Sequence, residues 1–112
     1  MGRSTLYELH ARFCEAFTSP KRLEILNLLR DRELCVGDLS KLANVPQSNV
    51  SQHLAVLRSR RIVAARREGV TIYYSLANPK VIHAFDTIAE ILLEELSHTE
   101  KLSKDLMKVR AK

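Results

Sequence analysis

The stretch Asp38–His53, DLSKLANVPQSNVSQH, decides the fold because it predicts two short helices joined by a tight turn. Leu39, Leu42 and Ala43 recur at the i, i+3, i+4 spacing of one helical face, which predicts a first helix with an apolar side. Pro46 ends that helix and suits the start of the next, where its missing N–H would have no helical partner. Together these signals indicate a helix–turn–helix.

The second helix of the pair has one apolar and one polar face. Val50, Leu54 and Leu57 recur at i, i+4, i+7 and are predicted to face the core. The other face holds short polar side chains, namely Gln47, Ser48, Asn49, Ser51, Gln52 and His53. Amides and hydroxyls of this kind hydrogen-bond to base edges in a DNA major groove, but an ordinary solvated helix also has a polar first turn. The face alone leaves both interpretations open.

Positive charge clusters beside this helix. The net charge is +5 at pH 7, and between Gln47 and Gly69 five Arg and one Glu leave a local charge of five minus one, +4. A phosphate backbone would lie along such a cluster. A protein-interaction module of the same shape predicts an apolar or acidic face instead, so the arginines favour DNA. The predicted backbone contacts are Arg58, Arg61, Arg66 and Arg67.

Composition limits the other classes of protein. With 112 residues and 46% hydrophobic content, the chain is expected to be one domain spanning residues 1–112. No apolar run approaches the ~20 residues of a membrane span, and the first residues lack the apolar segment of a signal peptide. We therefore expect no membrane partner and a cytoplasmic location. No catalytic, phosphate-loop or zinc-finger spacing occurs, which predicts that the chain is not an enzyme.

Two helices are predicted before the helix–turn–helix. Thr5–Phe17 carries one apolar stripe, with Cys14 at its flank. Ser19 is a predicted N-cap and Pro20 a first helical residue of the helix that follows. Since Lys21–Arg30 is apolar on more than half of its surface, this second helix is predicted to be the central buried one.

The chain then changes period and predicts a hairpin. Ile62–Arg67 and Val70–Leu76 are predicted strands, the second alternating apolar and polar residues with a period of two. Glu68 and Gly69 form the predicted turn, with Gly supplying a positive φ. Tyr73 is predicted to face outward, where it could contact a DNA backbone.

One long helix is predicted from Asn78-Pro79 to Arg110, about 30 residues and about 45 Å. Val81, Phe85, Ile88, Leu92 and Leu96 form its apolar row. A chain of this size has no core large enough to cover such a helix and the apolar first helix as well. Both features predict a symmetric dimer.

Four pieces of the chain carry a family resemblance. They are SPKRLEIL at 19–26, ELCVGDL at 33–39, QSNVSQHL at 47–54, and RREG at 66–69 with IYY at 72–74. Together they resemble the ArsR/SmtB family of bacterial and archaeal repressors over roughly residues 13–76. The resemblance implies a mainly α (α+β) winged helix–turn–helix: two helices, the helix–turn–helix, a two-stranded hairpin and a long helix.

The resemblance also implies an assembly and a partner. Such proteins are homodimers joined through their first and last helices, and they bind double-stranded DNA at an inverted-repeat operator. They block transcription and release DNA when an effector binds or a thiol is modified. Two positions depart from the family pattern: Arg61 stands where relatives usually have Gly, and Gly37 replaces the second Cys of the ELCVCDL metalloid box.

The two cysteines, Cys14 and Cys35, are the predicted sensor. Thiolates bind thiophilic ions, so one hypothesis is a metal or metalloid such as arsenite, cadmium or zinc shared by the pair across the dimer. A second hypothesis is oxidation or persulfide bridging of the same thiols. A third is that both are structural, since free Cys is commonly buried as a small apolar residue.

The last helix offers a weaker metal hypothesis. His83 and Asp86 are spaced i, i+3, and Glu94 and His98 i, i+4, so each pair shares a helical face. Nitrogen and oxygen ligands of this kind bind zinc or nickel. The spacing does not reproduce the last-helix site of the family, and a solvated acidic face is the favoured interpretation.

Overall fold

The computed structural model of the chain describes residues 2–97 and 100–111. Its helices and strands are α1 (Arg3–Glu15), α2 (Pro20–Leu28), β1 (Leu34–Cys35), α3 (Val36–Ala43), α4 (Gln47–Ser59), β2 (Val63–Glu68), β3 (Thr71–Leu76), α5 (Lys80–Leu96) and α6 (Glu100–Ala111). The order confirms the predicted winged helix–turn–helix, mainly α with a small antiparallel sheet. The chain divides into two compact units, residues 1–79 and 80–112. One domain over residues 1–112 stays a prediction.

The structure differs from the predicted elements at two places. A two-residue strand, β1, precedes the helix–turn–helix and pairs with β3, which gives a three-stranded sheet in the order β1-β3-β2. The single last helix that we predicted is wrong: α5 ends at Leu96 and α6 begins at Glu100. At the end of α5, the Ser97 hydroxyl donates to Glu94 O (2.6 Å) and the Ser97 N–H donates to the same carbonyl (3.2 Å), so the last turn is tightened to i−3 hydrogen bonding.

The core of the first unit lies between α2, the helix–turn–helix and the sheet. In α2, Ile25 and Leu26 are fully buried, which confirms the predicted central helix. Ser19 caps it as predicted, since its Oγ accepts from Arg22 N (3.3 Å). The other buried side chains of this unit are Ala16, Leu29, Leu34, Leu39, Ala43, Val50, Leu54, Leu57, Ile62 and Val63. The predicted inward face of α4 is thus confirmed.

The turn of the helix–turn–helix depends on Asn44, whose φ of 55° is left-handed. Val45 N–H then donates to Ser40 O (3.2 Å), and Pro46 follows at the N-cap of α4. The prediction for Leu42 is wrong, because its side chain is 49% exposed. At about 100° per residue, Leu42 and Ala43 lie on opposite sides of Leu39 around the helix axis. The core covers Leu39 and Ala43 but does not extend to the side on which Leu42 lies.

The C-terminus of α4 forms a Schellman motif without glycine. Ile62 N–H donates to Leu57 O (2.9 Å) and Arg61 N–H to Arg58 O (2.9 Å). Arg61 has a φ of 60°, the left-handed conformation in which glycine is usual. The position that departs from the family sequence is therefore a position where an arginine adopts the glycine conformation.

The hairpin β2–β3, called the wing from here on, has the predicted turn. Glu68 pairs with Thr71, and Gly69 between them has a φ of 63°. Glycine at the first loop residue is what a two-residue type II′ turn requires. Val70 beside it is 96% exposed, so it belongs to the turn and not to the apolar side of β3.

Candidate nucleic-acid interface

The first turns of α4 present a polar face to solvent. Gln47, Ser48, Asn49, Ser51 and Gln52 are all exposed. Val50 and Leu54, at 0% and 1% exposure, fix the rotation of the helix because they are locked in the core. The structure therefore brings together the five amide and hydroxyl side chains that the sequence predicted, on one face that an approaching groove can reach.

His53 differs from these residues because it is half-buried. Desolvation by burial lowers the pKa of its imidazole below the ordinary 6.5, and the positive charges of Arg22 and Lys21 lower it further. Lys21 Nζ in turn donates to Ala43 O (3.0 Å) at the end of α3. His53 is consequently neutral at pH 7, and any contact with DNA would be a hydrogen bond and not an ion pair.

A notch of about 380 Å³ opens between α4 and β3. It is lined by Ser51, Leu54, Ala55, Arg58, Ser59 and Tyr74. Arg58 supplies a positive charge, Ser51 supplies a hydroxyl, and the small Ala55 leaves the space, so a phosphate group fits this chemistry. The Ser59 hydroxyl donates instead to Val56 O (2.7 Å). The sequence prediction missed Ala55 and Ser59, although their spacing of i+4 and i+8 from Ser51 places them on the same side of the helix.

Arg61, which precedes the wing, and the two arginines of the wing have different surroundings. Arg61 and Arg67 are exposed, and Arg67 Nε donates to Gly69 O (3.2 Å) at the wing tip. Arg66 is bound by two carboxylates, Glu33 and Glu68. Its guanidinium also lies 5.1 Å from the ring centroid of half-buried Tyr73. The exposed Arg66 guanidinium is therefore held by other side chains of the same chain, which the sequence did not predict.

Cys14 and Cys35 lie in different elements, and both thiols are free. Cys14 is exposed on α1, whereas half-buried Cys35 ends β1 and is the N-cap residue of α3. A β-carbon at Gly37 would lie 3.9 Å from Cys35 Sγ and 3.8 Å from Gln47 Nε2. Position 37 thus lies between the Cys35 thiol and the side chain of Gln47, the first residue of α4.

The weaker metal hypothesis gains little from the structure. His83 and Glu94 are exposed on α5, Asp86 is half-buried there, and His98 lies outside the described residues. Within residues 2–97 and 100–111, no three His, Cys, Asp or Glu side chains are grouped so that they could hold a metal ion. In the same part of the chain, no helix combines the length and the apolar character that crossing a membrane requires.

Comparisons with known proteins agree with this geometry. The sequence family described as "Bacterial regulatory protein, arsR family" matches residues 19–65. An uncharacterized HTH-type transcriptional regulator of Mycobacterium tuberculosis, Rv0081, is 37% identical over 107 residues, 95% of this chain and 94% of that protein. A transcriptional repressor SmtB homolog of Synechocystis is 42% identical over 84 residues, 75% of this chain and 64% of that protein.

Solved structures show the same fold. The crystal structure of M. tuberculosis Rv0081 matches with a TM-score of 0.77 at 38% identity, covering 84% of this chain and 95% of that one. The solution structure of the homodimeric winged helix–turn–helix DNA-binding domain of Mb0332 from Mycobacterium bovis also has a TM-score of 0.77. It is 31% identical and covers 86% of this chain and 89% of that one.

A winged helix–turn–helix with an exposed amide and hydroxyl face on its second helix defines a DNA-binding transcriptional regulator. The chain belongs to the ArsR family of bacterial regulatory proteins. Its partner is double-stranded DNA, and it is not an enzyme, as the sequence predicted.

Proposed function

We propose that the chain is a homodimeric repressor that binds an inverted-repeat operator and releases it when a thiophilic effector reaches Cys14 and Cys35. The observation that carries the DNA-binding part is the exposed polar face of α4 beside exposed arginines. A cytoplasmic location is part of the proposal, since a bacterial operator lies on the chromosome.

The proposed contacts divide into two groups. Base edges are read by Gln47, Ser48, Asn49, Ser51 and Gln52, with neutral His53 at the wall of the groove. The phosphate backbone is held by Arg58, Arg61, Arg67 and the Tyr73 hydroxyl. The notch at Arg58 supports this division, because it places a cation immediately beside the reading face.

A mobility-shift titration tests the proposal. The probe is the DNA upstream of the protein's own gene, compared with random DNA of the same length at two salt concentrations. Specific binding should keep a large affinity ratio at both salts, while the affinity for random DNA should fall steeply with salt. Equal affinity for both probes would rule out a sequence-specific regulator.

Exposed apolar side chains support the homodimer. On α1, Leu6, Tyr7 and Leu9 are 57–66% exposed, and this helix buries none of its residues. On α5, Ile88, Ile91 and Leu92 are 51–58% exposed. Contiguous apolar surface of this kind on a small chain indicates an interface. A second copy is the proposed partner, and the relative Mb0332 is described as homodimeric.

The cysteines fit a thiophilic ion by donor type. Two thiolates are soft ligands of the kind that soft metals and metalloids select. Zinc fits less well than arsenite or cadmium, because a structural zinc site takes four ligands and the described residues add no third donor to either thiol. The position of Cys35 beside Gly37 and Gln47 supports a route by which a bound ion would disturb α4.

The second candidate is a thiol redox switch at the same residues. Both thiols are free and Cys14 is exposed, so peroxide can reach at least one of them. Joining two thiols in a disulfide would reduce one peroxide to two water molecules. Polysulfide would instead leave one of its zero-valent sulfur atoms as a link between the two thiols, and a second zero-valent sulfur would take the two electrons and protons and leave as hydrogen sulfide. Operator release under each reagent, compared between the wild type and the variants Cys14→Ser and Cys35→Ser, separates these candidates.

A further inference from the structure

Arg66 uses its guanidinium within the protein. Nε lies 3.0 Å from Glu33 Oε2, and Nη2 lies 2.9 Å from Glu33 Oε1. Nη1 donates to Glu68 Oε2 (2.8 Å), and the group stands 5.1 Å from the Tyr73 ring centroid. These four residues are called the Arg66 cluster. A bidentate pair fixes orientation as well as distance, which a single contact does not.

The Arg66 cluster joins parts of the chain that are distant in sequence. Glu33 immediately precedes β1, whereas Arg66 lies on β2, and β3 runs between these two outer strands. In register, Cys35 lies opposite Tyr73, and Tyr73 lies opposite Arg66. Side chains directly opposite in antiparallel strands share one face of the sheet. The Glu33–Arg66 pair therefore spans the sheet and connects the wing to the segment that leads into α3.

The charges of the cluster do not suit a phosphate contact. One arginine and two carboxylates give a net charge of −1. The hydrogen bonds from Arg66 lower the pKa of the Glu33 carboxyl, so this carboxyl stays ionised. A phosphate that reached Arg66 would displace a bidentate partner and meet two anions. Arg67, the next residue of β2, lies on the opposite face of the strand and is bonded only to the wing-tip carbonyl among the contacts described.

We propose that Glu33 is a positioning residue for DNA binding: through Arg66 it sets the orientation of the wing, and Arg67, not Arg66, is the arginine of the wing that contacts phosphate. This inference rests on the proposed function in that it assigns roles within the same DNA-binding surface. It changes the prediction for Arg66, which the sequence placed among the backbone contacts.

The sign of one substitution distinguishes this role from simple electrostatics. Removing an anion near DNA should tighten binding, because less charge repels the phosphates. If Glu33 positions the wing, Glu33→Gln should instead weaken operator binding by about two- to fivefold, the range that an exposed ion pair allows. Glu68→Gln is the matched control, since it removes the same charge on the wing and only one contact to Arg66.

Salt dependence separates positioning from phosphate contact. Arg66→Lys keeps the charge but loses the planar fork, so it should weaken binding as Glu33→Gln does. The double variant should show little further loss, because both changes break one interaction. Neither should change the slope of log K against log salt, whereas Arg67→Ala should reduce that slope by about one per subunit.

Hydrogen exchange of the free protein adds a measurement that needs no DNA. Glu33→Gln should speed exchange of the β1 and β3 amides more than Glu68→Gln does, while both variants keep the thermal unfolding transition of a folded protein. Tighter operator binding by Glu33→Gln, unchanged binding by Arg66→Lys, or a reduced salt slope for Arg66→Ala would each overturn the proposal. If the wild type failed to bind any operator, the proposed function would fail, and the exchange rates would still decide whether Glu33 holds the wing.

Discussion

Arg61 occupies a backbone conformation that favours glycine, with a φ of 60° at the end of α4. Arg61→Gly should raise the free energy of unfolding by about 0.5–1 kcal/mol, because relief of left-handed strain exceeds the entropy that glycine adds to the unfolded chain. The same change should weaken DNA binding and lower the salt slope, since it removes an exposed cation.

Arg61→Ala is the control for this pair of effects. It removes the guanidinium but keeps a β-carbon, so DNA affinity should fall without any gain in stability. Urea unfolding with an unchanged m-value measures the first effect and a salt titration of operator binding measures the second. A loss of stability in Arg61→Gly would contradict the assignment of strain to this residue.

His53 gives the protein a pH dependence of known sign. Because its pKa in the folded state lies below 6.5, the folded chain binds fewer protons at this site than the unfolded chain. The stability that the neutral ring contributes is complete above about pH 6.5 and is lost as pH falls through the folded pKa. Stability should therefore decrease as the pH falls below about 6.5.

His53→Gln should flatten this decrease, because glutamine does not titrate. Urea unfolding at several pH values measures it. An identical slope in His53→Gln and wild type would show that burial and the two neighbouring cations do not shift the imidazole.

At the level of helices and strands, α4 and the wing should have separable roles. Gln47→Ala, Ser48→Ala or Gln52→Ala should cost about 1–3 kcal/mol at the cognate site and relax base preference. Arg58→Ala should weaken binding to all sequences about equally, because it removes a backbone contact. Mobility shifts on specific and random DNA measure both groups, and identical behaviour of the two groups would refute the division.

The apolar side of α5 should hold the dimer together. Leu92 is 55% exposed in the single chain, and Leu92→Asp would place a charge in the proposed interface. We expect a monomer that no longer binds the operator. His83→Asp adds the same charge to an exposed position on the polar side of α5, which also carries Glu90 and Glu94, and should remain dimeric. Sedimentation at micromolar concentration decides, and a monomeric wild type would remove the basis of this expectation.

Local signals predicted most of the fold. Pro20, Pro46 and Gly69 mark their helix starts and turn by backbone chemistry alone, and the structure confirms all three. The strand β1 was missed because its two residues are defined only by their partners in β3, about forty positions later. A short segment has no period of its own to detect.

In the candidate site, as in the fold, features set by local sequence were predictable and those set by contacts between distant residues were not. The polar face of α4 follows from helical periodicity, and the structure exposes its five amide and hydroxyl residues. The pairing of Arg66 with Glu33 could not be predicted, since 33 positions separate the two residues and only the sheet order brings them together. The local charge was counted from Gln47 to Gly69, and this range leaves out Glu33. Arg66 was therefore assigned to the DNA backbone.

For the protein as a whole, substitution of Cys14 and Cys35 tests whether an effector releases the operator through these thiols. Arsenite or cadmium should release the operator from the wild type, and Cys35→Ser should abolish the release, because one thiolate of the pair is lost. Cys14→Ser should do the same if the ion is shared. Operator release is also measured after adding peroxide, polysulfide or zinc. Release by a thiophilic ion that survives both substitutions would refute the shared site.

Gly37→Cys supplies a gain-of-function control for the switch. The added β-carbon would lie 3.9 Å from Cys35 Sγ and 3.8 Å from Gln47 Nε2, both ordinary van der Waals distances, so the position accepts a β-carbon next to the existing thiol. Release should then occur at lower arsenite concentration and should no longer need Cys14. Unchanged sensitivity would argue against Cys35 as a ligand.

The two-residue strand β1 also bears on how the protein behaves at high concentration. β3 is the middle strand of the sheet, and β1 covers one of its edges at Tyr73 and Tyr74. An uncovered edge of a β-sheet is a template on which strands of other molecules can add, the first step of cross-β assembly. The strand β2 pairs with β3 alone, so the wing already presents one unpaired edge, and detachment of β1 would expose a second one on β3. The two residues of β1 therefore limit the wing to a single strand edge on which another copy can add.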